Sequence, residues 1–218
     1  MSMVTEKVLA SAAAPRRGLT YGVGAAFFLL AAIALSTKYV KIGSTDDVQV
    51  KVFSKVEFGT TEFPVVQKFV LEHAVDAKTL GAAIATDKIA AGKKYGVESG
   101  TGPVIPVTIS GTAGEAQSGI YELNVEGLPE GTKVRVQTGP AVNGTDLRDA
   151  NGEIVFGQFT NQMEFQDAGQ ALNNELKTAV LTKIDNSALT GKKINVTGVF
   201  KLINPKNWFI TPVKMAVE

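Results

Sequence analysis

The chain has no cysteine. No disulfide can brace it, no thiolate can serve as a nucleophile, and no cysteine-based metal site can form. Nor can it carry the acylated cysteine of a bacterial lipoprotein. His73 is the only histidine, too few for an ordinary zinc site, and no serine stands near it in catalytic order. An excess of one charge is also missing: 22 basic side chains against 21 acidic ones leave a formal net charge of +1. With no basic run and no aromatics interleaved among basic residues, nucleic acid is not an expected partner. An exported protein without cysteine fits a bacterial envelope better than eukaryotic secretion, where small domains lean on disulfides.

What is present begins with an uncharged stretch, residues 18–37, reading GLTYGVGAAFFLLAAIALST. Lys7, Arg16 and Arg17 precede it; Lys38 and Lys41 follow. About 20 helical residues extend roughly 30 Å, the thickness of a bilayer's hydrocarbon core. Basic residues stay in the cytoplasm, so the rest of the chain is translocated. The expectation is an N-terminal transmembrane helix within residues 1–42, anchored single-pass in the inner membrane with the bulk in the periplasm. The alternative is a cleaved signal peptide, for which Ala34 and Ser36 offer a small-x-small site.

Residues 43–95 read as a strand or linker followed by a small helical unit. Val48, Val50 and Val52 alternate with polar neighbours. A helix is expected over residues 63–71, capped by Thr60 or Thr61, with Pro64 in its first turn. A second runs from Asp76 past Ile89 to a stop at Gly92. From residue 100 the apolar period drops towards 2 and turn residues multiply. Strands are expected over residues 104–110, 120–125 and 133–137, with a hairpin connection over 111–119 and a short strand over 154–159. A long helix follows, capped by Asn161 with Glu164 three residues on. Two strands, 193–203 and 209–217, close the chain. Three strands, a helix and two strands is the order of a small OB-like β-barrel. The fold class is therefore α+β: a transmembrane helix, a small helical unit, then an OB-like domain over 96–218 with one long helix.

Three places carry candidate chemistry. Asp146, Arg148 and Asp149 form the densest polar cluster. Either they face a groove and bind sugar hydroxyls or a peptide, or Arg148 pairs with a neighbouring carboxylate and orders a loop. Asn161 and Gln162 either contact a ligand or serve the helix, Asn161 as its cap. Asn207 and Trp208 either present an indole to a pyranose ring or cap one end of the barrel. A hydrolase reading would need two carboxylates about 5–10 Å apart, drawn from Asp146, Asp149, Glu153 and Glu164. No catalytic constellation, metal site or cofactor motif is recognisable, so no enzyme is expected.

Further residues carry a family likeness: Tyr95-Gly96-Val97, Ser99-Gly100-Thr101-Gly102, Gly139-Pro140, the run from Gly144 to Ala150, the run from Phe159 to Glu164, and Ala171-Leu172-Asn173. The chain from about Val48 onward resembles a bacterial family of predicted periplasmic proteins and lipoproteins of unknown function. The resemblance implies a helical unit beside an α/β unit with a barrel-like core, and a role next to sugar ABC transporters. Its implied partners are a sugar or a sugar-transporter component. It carries over no catalytic residues. The expected function is a non-enzymatic binding or accessory protein; the alternatives are a glycan hydrolase and a structural docking partner of a membrane complex.

Overall fold

The computed structural model describes residues 17–37 and 52–218, and side chains from residue 21 onward. The expected strand or linker at Val48–Val52 lies outside the described residues, save Val52. Contacts divide the chain into Met1–Lys51 and Val52–Glu218.

In the first unit, α1 (Arg17–Ser36) is a 20-residue helix where the uncharged stretch predicts one. Among the described residues, however, no helix is long and apolar enough to cross a membrane. The expected transmembrane helix is not supported on that point. Gly18, Thr20, Tyr21, Gly22 and Gly24 dilute its first turns, and the strongly apolar run is only eleven residues, 25–35. At about 1.5 Å per residue that run covers roughly 16 Å, half the hydrocarbon core.

The second unit starts with α2 (Lys55–His73), not at Thr60. Ser54 caps it, its hydroxyl accepting from the Glu57 N–H at 3.3 Å. Phe53 packs on Phe58 with ring centroids 5.3 Å apart, the apolar staple that sets how a chain enters a helix. Pro64 thus sits inside the helix. The longer helix buries Gly59 and Phe63. Gly59 is required there, since a Cβ would meet the Ala171 carbonyl oxygen at 2.7 Å.

The expected second helix is two: α3 (Ala77–Thr86) and α4 (Lys88–Tyr95), broken at Asp87. Asp76 and Asp87 each accept two backbone N–H bonds at the start of their helix, so Asp87 ends one and begins the next. A two-residue strand, β1 (Val75–Asp76), runs parallel to β2 (Val104–Gln117). Through it and α2, the helices share one hydrophobic core with the sheet.

β2 is twice the expected length. It runs through the presumed connection, with a bulge between Ala113 and Ala116. The turn is only Ser118-Gly119, both at positive φ (53° and 77°), the geometry that matches the twist of paired strands. β3 (Ile120–Asn124), β4 (Lys133–Gln137), β5 (Lys193–Lys201) and β6 (Asn207–Val217) complete the sheet. β2 pairs β3, β3 pairs β4, β4 runs parallel to β6, β6 pairs β5, and β5 pairs β2. The five strands close on themselves. Between β4 and β5 lie α5 (Asp146–Asp149) and the amphipathic α6 (Gln162–Ala179). The strand expected over 154–159 is a 3₁₀ turn, Phe156–Gln158. Val155 and Phe156 there are exposed and, among the described residues, have no neighbouring strand to pair with.

The core gathers Trp208, Tyr121, Phe63, Phe200, Leu172 and Leu176. Burying one such side chain is worth about 1.5–3 kcal/mol.

Candidate functional site

Asp146, Arg148 and Asp149 do come together, but around Lys201 of β5, more than fifty residues away in sequence. Asp149 Oδ1 accepts from Arg148 Nε at 2.9 Å and pairs with Nη2 at 2.8 Å. Its Oδ2 accepts from Thr145 Oγ1 at 2.9 Å and from Lys201 Nζ at 3.2 Å. Arg148 Nη1 donates to the Phe165 carbonyl at 3.1 Å, and its guanidinium lies 3.7 Å from the Phe165 ring centroid. Asp146 is less well held, its Oδ1 3.8 Å from Lys201 Nζ. Two cations face two carboxylates, all four side chains at most 15% exposed. Burial, with a smaller push from Asp149, raises Asp146 from 3.8 to about 6 against the pull of Lys201. The network ties α5 to β5 and α6, and every donor on Arg148 named above already has a partner.

Asn161 caps α6, its Oδ1 accepting from the Glu164 N–H at 3.0 Å, while Glu164 Oε2 accepts from the Thr160 N–H at 2.9 Å. Gln162 is exposed. The buried glutamine is Gln137, which donates to the Asn143 carbonyl and Thr211 Oγ1 and accepts from the Asn143 N–H. Asn151 donates to Glu153. Three of the four carboxylates considered for hydrolysis thus make local structural bonds, and none of the four lines either groove described below.

Trp208 requires a correction. It is fully buried, stacked on Phe200 at 4.8 Å, with Nε1 donating to the Pro205 carbonyl at 3.0 Å. It cannot meet a sugar. Alternation along β6 instead turns its neighbours Asn207 and Phe209 outward. The register aligns Glu122 with Arg135, and Arg135 with Phe209, in one row across β3, β4 and β6. Arg135 Nη2 donates to Asn207 Oδ1 at 3.0 Å, and its guanidinium lies 5.2 Å from the Phe209 ring centroid. Arg135 and Phe209 are half-buried; Glu122 and Asn207 are exposed. No ion pair to Arg135 is formed among the described residues. This row presents a rigid donor fork, an aromatic edge, an amide and a carboxylate on one outer face, chemistry suited to hydroxyl-rich or anionic ligands. Sequence reasoning missed Arg135 and Phe209, although the alternation of residues 133–137 already sets Arg135 opposite the apolar Val134 and Val136.

Two grooves lie elsewhere. One of about 540 Å³ is lined by Lys183, Lys192 and Lys214 over Leu189, Val213 and Met215. Another of about 240 Å³ runs between Lys88, Lys93, Glu98 and Leu202. No expected site residue lines either. Among the described residues no group of three or more His, Asp or Glu could hold a metal ion. His73 stacks on Phe69 at 4.1 Å, its Nδ1 2.8 Å from that residue's carbonyl.

The fold has a solved counterpart. An OB-fold protein from Thermotoga maritima is similar over 77% of this chain and 100% of its own, with a TM-score of 0.60 and 15% sequence identity. At that identity the likeness speaks for the OB-like fold alone. No curated protein sequence matches the chain. The family model described as predicted periplasmic lipoprotein (DUF2291) matches residues 26–216, nearly the whole chain, which therefore belongs to that family of unknown function.

Proposed function

We propose that this protein is exported to the periplasm and acts there as a non-enzymatic binding module, in the service of a carbohydrate transporter. Export is supported by the basic residues before α1 and by the family's periplasmic character. The eleven-residue apolar run of α1 has the length of a signal peptide's core, about 7–15 residues, with Ala34 and Ser36 placed for processing. The single observation that carries the binding role is the outward row of Glu122, Arg135 and Phe209 with Asn207 beside it. OB folds place ligands on the outer face of their second and third strands, which here are β3 and β4. An arginine half-removed from water without a carboxylate partner is ready to take one from a ligand. The link to carbohydrate transport rests on the family resemblance described above.

The test is a thermal-shift screen of the chain against neutral and acidic oligosaccharides, repeated with Arg135→Ala and Phe209→Ala. A ligand that binds only the folded state raises the melting temperature, and each of the two substitutions should reduce that rise. No shift with any sugar, or a shift indifferent to both substitutions, overturns this reading.

A further inference from the structure

The sheet closes, but β6 outruns one of its neighbours. Pairing with β4 ends at Val136 and Ile210, whereas β6 continues to Val217. Among the described residues, β5 alone pairs with that remainder. The Glu218 N–H donates to the Lys193 carbonyl at 2.9 Å. Bonded and non-bonded positions alternate along an antiparallel pair, so Ala216 and Lys214 also turn their backbone groups towards β5. The N–H and C=O of Met215 and Val217 point the other way. Val213 has no partner on β5 because of a bulge, and its carbonyl accepts from Gln67 Nε2 at 2.6 Å. Among the described residues, nothing bonds the outward backbone groups of Met215 and Val217. Met215 is only 8% exposed, and backbone groups at such depth are almost always paired. An open strand edge is a template for another strand.

This edge lines the groove of about 540 Å³, and the segment after α6 adds the apolar surface of Ile184 and Leu189. The charge around the groove is one-sided. Lys183, Lys192 and Lys214 line it against one carboxylate, Asp185. That carboxylate already accepts from the Ser187 N–H at 3.1 Å and from its hydroxyl at 2.6 Å. Among the described residues none of the three lysines forms an ion pair. A small anion would answer the charge, and an acyl chain the apolar surface. An extended peptide answers both and also the backbone groups at every second residue. We propose that the outer edge of β6 accepts an extended acidic segment of a partner protein, its backbone paired with Met215 and Val217 and its carboxylates set among the three lysines. Alternate side chains of a strand share a face, so the segment recognised alternates apolar with acidic residues. This edge shares no residue with the row of Glu122, Arg135 and Phe209, and its ligand is a protein rather than a sugar.

Amide hydrogen exchange, read residue by residue by NMR in the full chain, tests this directly. The amides of Lys214 and Ala216 should exchange slowly, and those of Met215 and Val217 fast. The probe is a hexapeptide alternating valine with glutamate, blocked at both ends. Adding it at millimolar concentration should slow exchange at 215 and 217 about tenfold. Of two N-methylated forms, one methylated at the valines and one at the glutamates, one should lose binding, because a strand pairs through the N–H groups of alternate residues. Val217→Pro removes an outward N–H without touching a bond to β5, and should weaken the peptide about tenfold while the circular dichroism stays unchanged. Lys214→Glu should weaken it too, and by less at high salt. An absence of protection with the peptide overturns the proposal. So does equal binding of both N-methylated forms, which would leave charge attraction alone, or binding indifferent to Val217→Pro. Binding of laurate in the groove without binding of the peptide would assign the site to a small amphipathic anion and overturn it as well. Slow exchange at 215 and 217 before any peptide is added has the same effect, whether or not it is lost on dilution; loss on dilution would place a second copy of the chain on the edge.

Discussion

Arg148 and Arg135 each sit over a phenylalanine ring, at 3.7 Å from Phe165 and 5.2 Å from Phe209, in opposite settings. Arg148 is buried, bonded twice to Asp149, and part of a neutral network with Lys201. Arg135 is half-exposed and shares one hydrogen bond with Asn207. Removing a partner from a buried pair strands a charge, whereas an open arginine can move its hydrogen bonds to a ligand or to water. The densest polar cluster in the sequence is therefore a structural clasp, and the sparser one is the candidate for recognition.

The comparison can be broken in four ways. Arg148→Ala should destabilise the fold by about 3 kcal/mol in urea unfolding, because Asp149 is left with a weaker set of partners. A loss below about 0.5 kcal/mol, the size of an ordinary surface change, would remove the clasp. The next effect is in pH. Burial lifts Asp146 from 3.8 to about 6, so the folded chain keeps a proton that the unfolded chain has lost. Stability is then fully present below the lower value and falls as pH rises through the upper one, by about 3 kcal/mol. Asp146→Asn should flatten that slope; an unchanged slope assigns it to another group. Asn161→Ala should cost about 1 kcal/mol through the lost cap and leave any ligand affinity unchanged. A change in affinity would return Asn161 to the site. Arg135→Ala should alter stability by less than about 0.5 kcal/mol, yet weaken ligand binding about tenfold. Equal stability losses at Arg135 and Arg148 would erase the distinction between them.

Local signals were readable. Asn161 with Glu164 marks the start of α6, and the alternation of residues 133–137 marks β4, because caps and two-residue periods are set by neighbours along the chain. Reading failed where a contact from afar overruled the local rule. Pro64 suggested a helix start, but α2 begins earlier and lays Gly59 against Ala171. Gly111 and Gly114 suggested a hairpin loop, but pairing with β3 and β5 carries β2 through them. Trp208 stood beside turn residues, and the register of β6 turned it into the core.

From its sequence alone this chain was bound to be cysteine-free, nearly neutral, apolar near its N-terminus, and α+β with strands flanking one long helix. Those properties follow from composition and short-range periodicity. Only the tertiary structure decided that Lys201 meets Asp149, that β2 closes onto β5, and that five phenylalanines from three segments meet at one pole. Each of those joins residues far apart in the chain, and their pairing is set by which arrangement buries the most apolar surface while leaving buried charges partnered.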